Sequence, residues 1–324
     1  MTMKDMVGLR QKCGSGGMST QVHLTTETIH RAWDPALTPV ITVDSGTTIE
    51  VETLDASGGQ LSRESQSEDL RALDFAGVNP VTGPIFVEGA EAGDAIRVTI
   101  IDIAVGPWGW TANIPGFGLL ADQFPDPHLV RSYRAGSYIV MDNGIRLPTM
   151  PFVGTIGLAP EEPGSHSIIP PRRVGGNMDT RFIAPGSRLY LPVEVPGGLL
   201  SLGDCHASQG DGEVCGTAIE VGASVTLRVD VVKHHRLRFP FLETHPISDR
   251  RGPFLVSMGV GPDLMTAARD ATAGMIEEIM RRTRLSPVDA YLLCSIAGDL
   301  KLQEVVDAPN WVVGMHLETA LLDF

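Results

Sequence analysis

A repeated alternation of polar and apolar residues, broken by glycine and proline, is the feature that most constrains this chain. Residues 48–52 and 224–231 alternate with a period of two, which is typical of strands with one buried face. Residues 94–105 are more continuously apolar and predict a central strand. Asn143-Gly144 predicts a tight hairpin, because these two residues adopt positive φ angles readily. No helix-length segment separates these strands, so we expect mainly antiparallel sheets arranged as a β-sandwich.

The pattern changes near residue 236. Apolar residues recur at spacings of three and four at Leu264, Ala268, Ala271, Met275 and Ile279, which predicts one face of a helix. A second helix is expected to begin after Ser286, a capping residue followed by proline at the first helical position, and to end at Gly298. A closing strand is expected at residues 311–315.

These patterns predict three parts of the chain. Residues 1–19 are interpreted as a flexible N-terminal extension, because they include a Gly/Ser-rich run at 14–17. Residues 20–235 are expected to form the β-sandwich body and to carry the functional site. Residues 236–324 are expected to form a smaller α+β unit.

Charge and hydropathy exclude several classes of partner. The chain has 25 basic and 39 acidic side chains, a net charge of −14, which repels nucleic-acid phosphates and anionic lipid. No run approaches the roughly 18 apolar residues of a membrane span, and the N-terminus lacks the apolar core of a secretory signal. We therefore expect a cytoplasmic protein that binds neither nucleic acid nor a membrane.

Four cysteines, at positions 13, 205, 215 and 294, form no CxxC pair. Free thiols are therefore expected in a reducing compartment, with a Cys205–Cys215 disulfide as the alternative.

The densest group of reactive side chains lies between residues 203 and 220. If residues 199–206 form a strand, Asp204 and His206 project to one face and Cys205 to the other. A carboxylate and an imidazole so placed can reach one metal ion. Glycines at 210 and 212 permit a sharp turn that would return Glu213 to the same face. The alternative is a salt bridge beside a polar turn, because Asp-x-His is a short pattern with many chance matches.

A second group lies at residues 174–179. Asn177 and Asp179 are expected to share a face, and Asp179 could complete a metal site. The alternative is a turn in which both side chains bond their own backbone.

Several catalytic signatures are absent from the sequence. There is no G-x-S-x-G nucleophile elbow and no phosphate-binding G-x-x-x-x-G-K-[ST] loop. Metal-activated water or a cysteine nucleophile then remains. We place Cys205 in the core, because adjacent strand residues face opposite ways.

Three segments of the chain resemble the acetamidase/formamidase family. They are TGPIFVEGAEAGD at 82–94, GNMD at 176–179, and the block from 203 to 220 that contains GDCH and GDGEV. The similarity runs from about residue 22 to the C-terminus. It implies a β-sandwich-based hydrolase of amide C–N bonds that releases ammonia and a carboxylate, with a divalent metal usually taken as zinc.

The matching motifs imply individual roles. Asp204, His206 and Asp179 correspond to metal ligands, and Glu213 to the general acid/base. A divalent metal would supply an activated water, and Glu213 would take the proton of that water and pass it to the leaving nitrogen.

Substrate contacts are predicted at three side chains, Asn177, Trp108 and Trp110. The Gly/Pro-rich stretch 106–118, which also holds Phe117, could form an apolar wall or lid over the site, or an ordinary loop packed on the core.

The resemblance leaves three functions open. The first is hydrolysis of a short amide of the acetamide or formamide type. The second, a γ-lactamase or an amidase for bulkier amides, arises because the family includes lactam-hydrolysing members. The third is a non-catalytic β-sandwich binding module in which Asp204 and His206 hold a structural ion. Short-amide hydrolases of this kind are often oligomers, so a homo-oligomer is expected.

Overall fold

The computed structural model describes residues 7–11, 20–245 and 252–322, with side chains from residue 22 onward. In these ranges the strands are β1 (Val7–Gln11), β2 (Thr20–Leu24), β3 (Ile29–His30), β4 (Ile41–Val43), β5 (Thr48–Thr53), β6 (Val81–Val87), β7 (Ala95–Val105), β8 (Trp108–Asn113), β9 (His128–Ala135), β10 (Tyr138–Met141), β11 (Arg146–Pro148), β12 (Phe152–Gly157), β13 (Gly175–Asn177), β14 (Arg188–Pro192), β15 (Leu200–His206), β16 (Glu220–Val221), β17 (Ala223–Val232), β18 (Phe241–Glu243), β19 (Phe254–Gly261), β20 (Asp299–Glu304) and β21 (Trp311–Glu318). The helices are α1 (Leu264–Arg282) and α2 (Pro287–Ala297), with short 3₁₀ turns at Thr26–Thr28, Ser67–Ala72 and Thr319–Leu322.

The strands form two large sheets. The first has the order β1-β2-β5-β17-β7-β14-β18-β19-β21-β20, and the second has the order β11-β10-β9-β8-β16-β15-β12-β13, with β6 joining β15 and carrying β3 and β4. Pairing is antiparallel except for β2 with β5 and β4 with β6. Apolar side chains from both sheets, such as Val225 and Leu202, belong to one buried cluster. The predicted antiparallel β-sandwich is confirmed.

The strands predicted from alternation are present. Residues 48–53 form β5 and residues 223–232 form β17, and β7 lies between β17 and β14, in the interior of the first sheet. The hairpin predicted at Asn143-Gly144 joins β10 and β11, and Gly144 has a φ of 88°.

The two C-terminal helices are also present. In α2 the Ser286 side chain accepts a hydrogen bond from the Asp289 N–H at 3.2 Å, as predicted for a cap. The buried face of α1 differs at its start from the predicted one, because Ala267 is buried while Leu264 is 38% exposed. Leu264 is the first residue of the helix, and the buried face begins only at Ala267.

The expected three-part division stays a prediction, and two observations bear on it. Strands β18, β19, β21 and β20 extend the same sheet that contains β14, so backbone pairing continues across residue 236. Within the N-terminal extension, residues 7–11 pair antiparallel with β2, and the rest of 1–19 lies outside the described residues.

The described cysteines, Cys205, Cys215 and Cys294, are free thiols, so the alternative Cys205–Cys215 disulfide is wrong. Cys13 lies outside the described residues. Within the described part of the chain, neither helix has the length and apolar character needed to cross a bilayer.

Candidate active site

The site is built on four neighbouring strands of the second sheet. Strand β15 carries Asp204 and His206, and it pairs on one side with β12 and on the other with β16. The pairing places Glu220 of β16 directly opposite His206. Across β12, Thr155 is paired with Asn177 of β13, so the second predicted group reaches the first through one intervening strand.

His206 is the centre of the arrangement and is 1% exposed. Its Nε2 lies 3.2 Å from Asp204 Oδ1, 3.1 Å from Glu220 Oε2 and 3.8 Å from Asp179 Oδ1. One ring nitrogen can donate to only one of these oxygens at a time. Several anionic oxygens around one imidazole nitrogen are the arrangement expected of ligands around a cation.

The other ring nitrogen of His206 fixes the orientation of the side chain. His206 Nδ1 lies 2.8 Å from Gln209 Oε1, and Gln209 Nε2 donates to the Asp179 carbonyl at 2.6 Å. A histidine ligand usually has its second nitrogen held by such a partner, which sets the tautomer and ring angle. Gln209 therefore links the predicted ligands His206 and Asp179.

Among the described residues, no N–H or hydroxyl group donates a hydrogen bond to either carboxylate oxygen of Asp179, although its side chain is 1% exposed. Its neighbours there are the His206 ring, 3.8 Å away, and the carboxyl group of Asp307. A buried carboxylate without partners is costly, because burial removes water that nothing replaces. Gly154 creates the room for this group, since a Cβ at residue 154 would collide with Asp179 Oδ1 and lie 3.0 Å from His206 Cε1. Asp179 is therefore one of the buried acidic groups that could hold a metal ion.

Six side chains form overlapping groups of metal-binding geometry. The groups are Asp179, Asp204 and His206; His206, Glu213 and Glu220; and Asp179, Glu213 and Asp307. In each group the ligand atoms lie within 4.8 Å of one another, and all members are buried. Glu213 is therefore near the predicted ligands, as the glycine-containing turn at 210–212 suggested.

Three of these residues have a left-handed backbone. The φ angles are 41° at Asp179, 50° at Asp204 and 45° at Glu213. Residues other than glycine adopt this region at a cost, and such residues concentrate at functional sites where the surrounding structure imposes them.

Asn177 connects the cluster to a residue that the sequence did not suggest. Its Nδ2 donates to Asp307 Oδ2 at 2.5 Å, and its Oδ1 accepts from the Thr155 hydroxyl. Asp307 lies in the loop between β20 and β21, and the side chain of Glu304, the last residue of β20, accepts hydrogen bonds from the N–H groups of Val306 and Asp307. The C-terminal part of the chain therefore contributes a carboxylate to the site.

Burial and mutual repulsion dominate the protonation of the cluster. Burial, with the charge of Asp204, raises the pKa of Asp179 well above its ordinary value. Burial, together with the negative charge of Asp179, also raises the pKa of Glu213 and the pKa of Asp307 well above their ordinary values. Burial raises the pKa of Glu220 to about 7, against the opposing effect of His206.

The histidine and Asp204 shift in the opposite sense. Burial favours neutral His206, but Glu220 and Asp204 outweigh it and raise its pKa well above the ordinary value. Burial opposes the ionised form of Asp204, but the charge and hydrogen bond of His206 outweigh it and lower the pKa of Asp204.

A small cavity of about 50 Å³ adjoins the cluster. Its polar side includes Asn177, Asp179 and Glu213, and its apolar side includes Trp110 and Ile114. The predicted contact residue Trp108 does not line this cavity but a neighbouring one, which shares Trp110 and Glu220 with it. The 106–118 stretch therefore provides a wall of the cavity through its later residues.

Glu220, Asp307 and Asn79 were not among the predicted site residues. Glu220 is the last residue of the 203–220 segment, and the sequence pattern did not show that it lies opposite His206. The strand register of β15 and β16 places it there. Asn79 donates to Asp204 Oδ2 at 3.4 Å from a loop with no motif. Asp307 is 87 residues or more from the other members of the metal-binding groups, and no spacing signals it.

Cys205 is fully buried on the opposite face of β15, and the Thr53 hydroxyl donates to its Sγ at 3.5 Å. Burial raises the pKa of the Cys205 thiol to about 12. The predicted core position is confirmed, and a thiol so protonated is a poor nucleophile.

Similar proteins include amide hydrolases. The chain is 28% identical over 366 residues to a formamidase from Methylophilus methylotrophus, covering 91% of this chain and 90% of that protein. It is 32% identical over 270 residues to an acetamidase from Mycolicibacterium smegmatis, covering 63% and 66% of the two chains. The crystal structure of an acetamidase from Bacillus halodurans superimposes with a TM-score of 0.86 at 36% identity, covering 93% of this chain and 98% of that one.

The model of the acetamidase/formamidase family matches residues 17–168 and 163–324. The matched residues contain every member of the buried cluster, from Asp179 to Asp307. This chain belongs to the acetamidase/formamidase family.

Proposed function

We propose that this protein is a metal-dependent hydrolase that cleaves the C–N bond of short linear amides, of the acetamide or formamide type, and releases ammonia and a carboxylate. Membership in a family of amidohydrolases supports the reaction class. The observation that carries the metal dependence is the bare, buried carboxylate of Asp179 beside Asp204 and His206.

Asp179, Asp204 and His206 are the proposed ligands of the cation. Two carboxylates and one imidazole leave room for water or substrate, which suits a catalytic rather than a structural zinc site. We propose zinc on this donor set, because imidazole nitrogen with carboxylate oxygen is among its common combinations. When bound, the cation would lower the pKa of a water molecule and polarise the amide carbonyl.

Glu213 is the proposed general acid/base. It lines the cavity, its carboxylate lies within 4.8 Å of ligand atoms of Asp179 and His206, and burial with Asp179 raises its pKa. Its carboxylate would take a proton from the attacking water and donate it to the leaving nitrogen, because an amine leaves only when protonated.

Neighbouring side chains orient these groups and the substrate. Gln209 holds the ring of His206, while Asn177 and Asn79 present amide groups to the cavity. The cavity admits roughly three to five groups of the size of a water molecule, from its volume of about 50 Å³. This size favours a short amide over a bulkier one.

The test measures whether ammonia release depends on bound metal. The purified protein is dialysed against a chelator, and ammonia release from formamide and acetamide is measured before and after zinc is restored. We expect turnover to fall at least about 100-fold on stripping and to return with zinc. Equal rates with and without divalent ions would overturn the proposal.

A pair of histidine variants sharpens the assignment of the ligands. His206→Ala is expected to lose bound metal, whereas His166→Ala, which removes an imidazole bonded to the Glu162 carbonyl outside the cluster, is expected to retain it. Metal content unchanged in His206→Ala would exclude His206 as a ligand.

The same assays separate the other functions. Ring opening of a γ-lactam without ammonia from either short amide would favour a lactamase. Tightly bound metal with no hydrolysis of any amide would favour a binding module with a structural ion. The homo-oligomeric state, the cytoplasmic location and the absence of nucleic-acid or membrane partners stay predictions, the latter supported by the net charge of −14.

A further inference from the structure

The apolar lining of the cavity includes two aromatic rings that no motif indicated as a pair. Phe75 and Phe117 both line the cavity, and their ring centroids are 6.4 Å apart in an edge-to-face arrangement. Phe75 is 47% exposed, whereas Trp110 and Ile114 on the same side of the cavity are 2% and 7% exposed. The two phenylalanines, here called the aromatic pair, therefore lie between the buried wall and solvent.

The polar and apolar sides fix the direction in which an amide can enter. Trp110 and Ile114 belong to a small hydrophobic cluster of their own, against which Leu73 and Phe117 pack. The opposite side carries the buried carboxylates, which cannot accept an alkyl group without cost. This division favours an orientation in which the C–N bond of an amide lies at the carboxylates and its alkyl group points toward the aromatic pair.

Backbone contacts near Phe117 restrain its ring. The Leu119 N–H donates to the Val214 carbonyl at 2.9 Å, which ties this turn to the residues after Glu213. Gly216 has a φ of 82°, and a Cβ there would lie 2.5 Å from Phe117 Cε1. The absence of a side chain at Gly216 lets the Phe117 ring lie against the loop that carries the proposed acid/base.

We propose that Phe75 and Phe117 set the acyl-chain length of the substrate, by closing the apolar end of the cavity beyond about two acyl carbons. This inference rests on the proposed amide hydrolysis and adds its specificity determinant. The physical basis is size exclusion: a cavity of about 50 Å³ has little room beyond a short amide, and a restrained ring cannot yield to extra methylenes.

The test compares acyl-length profiles of the wild type, Phe75→Ala and Phe117→Ala. The kcat/KM is measured by ammonia release from formamide, acetamide, propionamide and butyramide. Each variant is expected to raise the ratio of butyramide to acetamide at least about tenfold, since one methylene in an apolar pocket discriminates by about 10–200-fold. Phe75 is half exposed, so its removal tests the proposal even if Phe117→Ala fails to fold.

Phe124→Ala is the matched control. Phe124 is 56% exposed, belongs to the same irregular segment and does not line the cavity, so its profile should equal that of the wild type. Wild-type profiles in both Phe75→Ala and Phe117→Ala would overturn the inference. If the wild type releases no ammonia from any amide, the proposed function fails instead, which is a distinct result.

Discussion

Two buried aspartates of this molecule differ in what surrounds them. Asp94, at the turn before β7, is 4% exposed and accepts hydrogen bonds from Lys233 Nζ at 2.8 Å and from the N–H groups of His234 and Glu91 at 2.8 and 3.0 Å. Asp179 in the site is 1% exposed and accepts none at its carboxylate among the described residues.

Their pKa values shift in opposite directions. Burial would raise the pKa of Asp94, but the hydrogen bonds from Lys233, His234 and Glu91 outweigh it, and the pKa falls below its ordinary value. Burial and the charge of Asp204 raise the pKa of Asp179. Partners within the chain keep Asp94 ionised, whereas Asp179 is neutralised either by a proton or by a ligand that the chain itself does not supply.

The largest expected effect is on catalysis, at Glu213, whose carboxylate belongs to the same buried group as Asp179. Glu213→Gln keeps the shape of a cavity side chain but removes the proton acceptor, so kcat should fall by about 10²–10⁴-fold with metal content unchanged. Ammonia release and metal analysis on the same sample measure both. Asp211→Asn, a change in a carboxylate paired with Arg181 beside the cavity, should retain turnover. Full activity of Glu213→Gln would remove Glu213 from the mechanism.

A smaller effect is expected on the free energy of unfolding of the metal-free protein, for which Asp94 and Asp179 should differ. Asp94→Asn should lower the free energy of unfolding by roughly 1–3 kcal/mol, because buried donors lose a charged acceptor. Asp179→Asn should leave the stability of metal-free protein unchanged or higher, since it replaces a buried acidic group that accepts no hydrogen bond among the described residues with a neutral amide. Asparagine also tolerates a φ of 41°. Denaturant unfolding of chelated samples compares the two. A clear loss of stability in metal-free Asp179→Asn would contradict the contrast.

The pH dependence of the Asp94 contribution follows from its lowered pKa. The unfolded carboxyl has the higher pKa, so the unfolded state binds the proton more readily and the stabilisation is fully present above about pH 4. It should be lost as pH falls through the pKa of the folded state. The stability difference between wild type and Asp94→Asn should therefore shrink below pH 4, as measured by unfolding at several pH values. A constant difference down to pH 2 would argue against an ionised Asp94.

The smallest effect is expected at Cys205. Its thiol faces the core, away from Asp204 and His206, and burial raises its pKa to about 12. Cys205→Ser should therefore retain substantial turnover and its bound metal. Loss of all activity with metal bound and the fold intact would restore the thiol as a candidate nucleophile.

Local patterns predicted most of the fold. The alternation at residues 48–52 and 224–231 was sufficient to define β5 and β17, and Ser286 with Pro287 defined the start of α2. Strand β20, which lies at the edge of the first sheet, was not predicted from the sequence. An edge strand has one neighbour and an exposed face, so its sequence is under weaker constraint than that of an interior strand.

The site residues also divide into those that the sequence predicted and those that only the structure revealed. Asp204, His206 and Glu213 fall within ten residues, and strand geometry with a glycine turn was enough to expect them together. Asp179 was suggested by a separate motif, and the pairing of β12 with both β13 and β15 brings it to the others. Asp307 had no local signal, because the β20–β21 loop reaches the site only through the order of strands in the first sheet.

The amino-acid sequence by itself determined the antiparallel class, the hairpin, the two helices and the family, because each depends on spacing along the chain. Tertiary structure alone decided that Glu220 and Asp307 join the acidic cluster and that Trp108 does not line the cavity beside it. It also decided that no donor within the described part of the chain reaches the Asp179 carboxylate. These properties depend on strand register and on burial, which bring together residues far apart in the sequence and exclude the water that would otherwise solvate their charges.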